Sequence, residues 1–167
     1  MEDIKMIIRL GKLQVRLYAT ILAKRTGVCS QRYGEVDKHM ILWDFDRSTA
    51  VEIAKTLECL MLKYNLPDIY IIQSSPKGSY HAYCFASRSF LEVLHILSDT
   101  PQVDRTYLRL GVVRGYFTLR ITPRKGDTAF KLVKIITSTF SNEMDYSDMT
   151  INEYLTSNKG RKNAKGK

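Results

Sequence analysis

Met40-Ile41-Leu42-Trp43-Asp44-Phe45-Asp46 is an apolar run that turns into alternating aromatics and carboxylates. That composition, with its period-two sidedness, is that of a β-strand. Residues i and i+2 of a strand share a face, roughly 6.5–7 Å apart along the chain. Asp44 and Asp46 therefore fall on one face, with Trp43 and Phe45 on the other, against a core. Two carboxylates side by side repel each other unless a cation lies between them, so the pattern suggests a divalent metal. Phosphate-transfer sites hold such ions in pairs. The alternative is a strand that simply runs out into an acidic turn before a helix.

Working outward, Thr49 and Glu52 have the spacing of a capping box. Ala50, Ile53, Ala54, Leu57, Leu60, Met61 and Tyr64 then recur at helical spacing until Asn65-Leu66-Pro67 stops the helix. Residues 68–73 read as a second strand, Ser74-Ser75-Pro76-Lys77-Gly78 as a turn, and residues 79–86 as a third strand. Ser89 and Glu92 form another capping box, opening a helix to about Leu97. Residues 106–122 read as a strand pair bent between Gly111 and Gly115. Asp127 is expected to cap a C-terminal helix with Phe130, Val133, Ile136 and Phe140 inward. Residues 5–22 fit helix and strand alike, with the balance towards helix. The order predicts an α+β domain: a split βαβ, ferredoxin-like or RRM-like sheet with helices on one face, plus an N-terminal extension and a C-terminal helix. The other sheet face is expected to be open and lined by Asp44, Asp46, Ser79 and His81.

The 167 residues suit one domain, expected over 1–156 with its core at about 38–140, and a disordered basic tail at 157–167. No apolar run reaches transmembrane length, which argues against a membrane partner. The three cysteines, Cys29, Cys59 and Cys84, are widely spaced and suit neither a disulfide framework nor a zinc knuckle, so a reducing, cytoplasmic or otherwise intracellular setting is expected. The net charge is +9. Arg105, Arg109, Arg114, Arg120, Arg124 and Lys125 follow one another without an intervening acid, and the first forty residues add Lys5, Arg9, Lys12, Arg16, Lys24, Arg25, Arg32 and Lys38. Such a field predicts a polyanionic partner, nucleic acid ahead of an anionic membrane; a scattered basic surface is the alternative.

Asp-x-Asp on the first strand and Ser79-Tyr80-His81 on the third, in this element order, resemble the archaeo-eukaryotic primase superfamily. The nearest branch is the small primase and primase-polymerase domains of plasmids and viruses. The likeness covers residues 38–125 and rests on Trp43-Asp44-Phe45-Asp46 and on Ser74-Ser75-Pro76-Lys77-Gly78-Ser79-Tyr80-His81. It implies that Asp44 and Asp46 ligate Mg²⁺ or Mn²⁺ and that Ser79 and His81 contact the triphosphate of an incoming NTP or dNTP, with Lys77 as a further phosphate contact. The family's third acid is expected near the last strand, which carries none here. Asp104, before Arg105-Thr106-Tyr107-Leu108-Arg109, is the candidate third catalytic, metal-ligating acid, and Asp99 the next. Without either, catalysis would be feeble or absent.

The chemistry agrees independently: polymerisation needs a deprotonated 3′-hydroxyl and a neutralised pyrophosphate, and a hydroxyl and an imidazole at i and i+2 can both donate to phosphate oxygens. The implied activity is template-directed nucleotidyl transfer on single-stranded DNA in replication of a mobile element, with a helicase supplied in trans. The competitors are a metal-dependent nuclease and a non-catalytic nucleic-acid-binding module. The latter would grip phosphates with the arginines and stack bases on Tyr80, Tyr83, Tyr107 and Tyr116. There is no GxxxxGK[ST] loop and no paired-histidine nicking motif.

Overall fold

The computed structural model describes residues 3–10, 13–20, 27–31, 35–76, 78–121 and 130–140. It has an α+β architecture compatible with a split βαβ unit. Strands β4 (His39–Phe45), β6 (Ser79–Arg88), β5 (Ile69–Ser75) and β8 (Lys131–Ile136) form an antiparallel sheet in that spatial order. β4 and β5 run parallel with β6 between them, and helix α1 (Ala50–Tyr64) connects them. β8 pairs with β5 at the far edge, whereas a ferredoxin-like sheet has its last strand beside the first. β4 is thus an edge strand, and its rim is blunted by bridges from Gln31 to His39 and from Phe45 to Val103.

The two capping boxes are formed as their spacing requires. The Thr49 side chain accepts from the Glu52 N–H while the Glu52 carboxylate takes the Thr49 N–H at 3.0 Å. Ser89 and Glu92 repeat this at the start of α2 (Phe90–Ser98). At the other end of α1, Asn65 adopts φ 50° and donates to the Met61 carbonyl, which also accepts the Leu66 N–H at 3.0 Å. The apolar stripe of α1, Ile53, Ala54, Leu57, Leu60 and Met61, is buried together with Trp43, Ile71 and Ala82. Trp43 donates its indole N–H to Thr100, just beyond α2, at 3.1 Å. Trp43 and Phe45 are therefore in the core, as the alternation demands.

Three stretches depart from the sequence expectation. Within residues 5–22, where helix was favoured, the described residues belong to two antiparallel strands, β1 (Asp3–Leu10) and β2 (Leu13–Thr20), because alternation suits cross-strand pairing. Residues 105–114 form helix α3 (Arg105–Arg114), not a strand. Asp104 caps it, accepting from the Thr106 N–H at 2.7 Å, and Gly115 closes it at φ 75°. These end signals override the strand composition of Val112-Val113. Gly111, read as a bend, lies inside α3 because the Phe117 ring packs against its backbone; a Cβ there would come within 2.0 Å of that ring. Finally, residues 131–136 are strand β8 where a helix was expected, since Leu132-Val133-Lys134-Ile135-Ile136 suits either period and is β-branched. Asp127 and the chain from residue 141, including the rest of the expected C-terminal helix and the basic tail, lie outside the described residues.

The second sheet face is not open. Leu42, Tyr83 and His81 on it are buried. A short ribbon of β3 (Gly27–Cys29) with β7 (Thr118–Arg120) and helix α3 help enclose a cavity over it. Ser30 ties this ribbon to β4, bonding His39 Nδ1 at 3.0 Å and accepting the Phe117 N–H at 3.0 Å. Among the described residues, no helix is long and apolar enough to cross a membrane.

Candidate nucleotide and nucleic-acid site

Antiparallel pairing sets Asp44 of β4 directly opposite His81 of β6. His81 Nε2 lies 3.6 Å from Asp44 Oδ1. One step along, the Ser79 hydroxyl donates to Asp46 Oδ1 at 2.8 Å. Cross-strand neighbours on one face approach within about 5 Å at Cβ, so this register is what turns two separate dipeptide motifs into one cluster. The four residues expected to act together are therefore together.

Their environments differ. The His81 side chain is only 3% exposed and that of Asp44 28%, while Asp46 is exposed. His81 is held by the Phe130 ring at 5.5 Å and by Tyr83, whose hydroxyl lies 3.4 Å from Nδ1. The opposite ring nitrogen is thereby aimed at Asp44. A histidine so fixed cannot swing out to meet a ligand; a ligand must enter to meet it.

There is space for that. A cavity of about 580 Å³ is lined by Asp44, His81, Tyr116, Arg114 and Arg120, among others. It brings one carboxylate, one imidazole and two guanidinium groups to a common space, with α3 supplying Arg114 and β7 supplying Arg120. Such a mixture suits an anionic ligand that carries polar groups of its own. Asp46 and Ser79 are not in its lining. The arginine series predicted as one nucleic-acid patch is thus divided. Arg114 and Arg120 border the cavity, whereas Arg105 and Arg109 are exposed on α3 outside its lining. Lys77, Arg124 and Lys125 lie outside the described residues.

Asp104, the candidate third acid, lies beside the site and is engaged by a helix. The Asp104 N–H donates to the Asp44 carbonyl at 2.9 Å, so its backbone abuts the site. Its carboxylate, however, caps α3 through the Thr106 N–H. Asp99 sits beyond the end of α2, bound by Lys63 at 2.6 Å and by the Tyr64 hydroxyl. The hydrogen bond from Lys63, then that from Tyr64, holds the Asp99 carboxyl below its ordinary range. Among the described residues, no group of three or more His, Cys, Asp or Glu side chains is placed to hold a metal. What remains is Asp44 near the end of β4 and Asp46 just beyond it, a carboxylate pair of the kind that would hold a hydrated ion such as Mg²⁺. That ion keeps several waters and takes one or two carboxylates together with substrate phosphates. It does not fit a dedicated protein cage.

Of the tyrosines proposed for stacking, Tyr83 is buried in the core, and Tyr107 is buried with its hydroxyl bonded to the Leu42 carbonyl at 2.8 Å. Tyr80 and Tyr116 are half-buried, and Tyr116 borders the cavity. Sequence reasoning missed the β3 wall, Gly27 and Cys29. Gly27 is legible only afterwards, since a Cβ there would lie 2.9 Å from the Leu119 carbonyl oxygen. Compared with known proteins, the chain matches no family model, no curated protein and no solved structure.

Proposed function

We propose that the protein is a primase-like nucleotidyltransferase domain that joins NTP or dNTP units on a single-stranded DNA template, with an RRM-like β4-α1-β5-β6 unit as its working core. The observation that carries this reading is the cross-strand cluster of Asp44 with His81 and Asp46 with Ser79, beside a cavity lined by Arg114 and Arg120. In the reaction, a 3′-oxygen attacks the α-phosphorus of the incoming nucleotide, a new P–O bond forms, and pyrophosphate leaves with the electrons of the broken one. Asp44 and Asp46 would hold Mg²⁺ or Mn²⁺. The ion, when bound, would supply a lowered 3′-hydroxyl pKa and neutralise the leaving pyrophosphate. The chain's own residues do the remainder. His81, locked by Phe130 and Tyr83, presents a fixed nitrogen to a phosphate oxygen; Arg114 and Arg120 counter the charge of the phosphates; Arg105 and Arg109, on the outside of α3, are free to follow the template backbone. A helicase acting in trans and a mobile-element setting within a host cell belong to the same reading.

A second reading has its own observation. Asp104 is engaged as a helix cap through one carboxylate oxygen, and the last strand carries no acid to replace it. A domain of this kind that binds nucleotide and single strands without joining them would keep the cavity and the arginines and lack turnover. Asp44→Ala and Asp46→Ala separate the two. Each is expected to reduce nucleotide incorporation on a primed single strand at least hundredfold, with the melting temperature held and strand binding retained. Incorporation unchanged in both variants removes the catalytic reading, and an inactive wild type with intact nucleotide binding favours the second.

A further inference from the structure

Helix α3 buries a narrow side and leaves most of its circumference to solvent. At about 100° per residue, Tyr107 and Gly111 mark the inward side, and both are buried. Arg105, Arg109, Val112 and Val113 fall within a stripe about 100° wide directly opposite. All four are exposed, Val113 at 84% and Val112 at 50%. Among the described residues, neither arginine is held by an acid. None of the four serves the helix that carries it. Arg105 opens α3, where the positive end of the helix dipole favours an acid, and the first turn has none. Val112 and Val113 are β-branched, lose rotamer freedom on a helix and recover little burial in return. Adjacent aliphatic side chains left in water beside charge mark an interaction surface.

We propose that this stripe docks an acidic, amphipathic helical segment of a partner protein. The chemistry of that segment follows from the order of groups along α3. Arg105 and Arg109 stand one turn apart, and the two valines follow one turn after Arg109. A complementary segment carries two carboxylates a turn apart and aliphatic side chains on the same face in the next turn. Each arginine then gains a charge-assisted bond and each valine an apolar neighbour. Nucleic acid uses only half of the stripe: phosphates engage the arginines, no aromatic is present for a base to stack on, and the valines stay in water. Arginine flanking an apolar centre is instead the composition of protein interfaces. Template backbone and partner meet at the same two arginines, so docking displaces the strand from α3. That competition rests on the template reading given above; docking itself does not.

The test titrates the full chain with a fluorescent synthetic peptide that carries two glutamates one turn apart and leucines on the same face in the next turn. Saturable binding is expected, with an oligothymidylate competing for it. The double variant Val112→Ala, Val113→Ala is expected to weaken peptide binding about tenfold. Its melting temperature should hold or rise, because alanine is the better helix former, and its incorporation without peptide should be unchanged. Arg105→Glu with Arg109→Glu is expected to lose the glutamate peptide and to accept one in which lysines replace the glutamates. A wild type that does not bind the peptide overturns the proposal. So does binding that survives the alanine exchange and is lost on charge reversal, since the arginines then act alone, as they would on phosphate. A lowered melting temperature in the alanine variant makes the valines part of the core and equally overturns it. Peptide binding that the oligothymidylate does not compete for supports docking and moves the template away from α3. Asp44→Ala is expected to lose incorporation and keep peptide binding, so failure of docking and failure of the catalytic reading are read separately.

Discussion

Trp43 and Asp44 are adjacent in one strand and occupy two different solvents. Trp43 is fully buried between the sheet and its helices, its single polar atom bonded to Thr100. Asp44 faces the other way, onto a partly filled layer where an imidazole, two guanidinium groups and a cavity meet. The helix-side layer is closed by the apolar stripe of α1. The opposite layer is closed by shorter pieces, α3 and the β3–β7 ribbon, which do not fill it. Burial alone therefore does not distinguish core from site in this domain: His81 is as buried as many core side chains. What distinguishes them is whether the enclosing layer leaves room and charge.

The contrast is most sharply exposed by deleting the largest side chain of the filled layer. Trp43→Ala should cost about 3–5 kcal/mol, the range for removing a buried aromatic, and lower the thermal midpoint accordingly. A destabilisation below about 1 kcal/mol would mean that the helix-side layer is no better packed than the cavity side. His81→Ala, on the neighbouring strand of the same sheet, should behave differently. Its larger effect is expected on nucleotide affinity, about ten- to hundredfold, which is the 1.5–3 kcal/mol of a hydrogen bond to a charged group. Single-strand binding should hardly change, and the melting temperature should fall less than for Trp43→Ala. If instead stability collapses and nucleotide affinity is untouched, both layers are plain core.

The smallest effect belongs to His39, where the ribbon is pinned to β4. Burial lowers the pKa of its imidazole from the ordinary 6.5, and the Asp37 carboxylate 3.9 Å away opposes this only in part. The unfolded chain therefore takes up a proton at a higher pH than the folded one. The stabilisation from the neutral ring is complete above about pH 6.5 and is lost as pH falls through the folded value. Thermal midpoints should be level above that pH and decline below it, and His39→Gln should flatten the decline. An equally steep decline in the variant would place the acid sensitivity elsewhere in the chain.

Much of the helix-side layer was legible in the residues themselves. Local signals act within a few positions, and both capping boxes, the stop at Asn65-Leu66-Pro67 and the alternation of Trp43 and Phe45 are of that kind. They sufficed for α1, α2, β4, β5 and β6, and for placing Asp44 with Asp46 and Ser79 with His81 on shared faces. The same local rules misled where composition and end signals disagreed. Val112 and Val113 suggested strand while Asp104 and Gly115 imposed a helix, and β-branched residues after Phe130 fitted two periods at once.

Only tertiary structure decided the rest, since each decision depends on a partner distant in the chain. Register between β4 and β6 joined the acid pair to the serine and histidine. The fold of α3 turned Asp104 into a helix cap beside the site. The meeting of β3 with β7 closed a face that alternation alone left open, and in closing it set Arg114 and Arg120 at the border of a cavity. Sequence periodicity reports which side of a strand a residue occupies; what stands on that side is set by which remote segment packs there, and no local pattern carries that information.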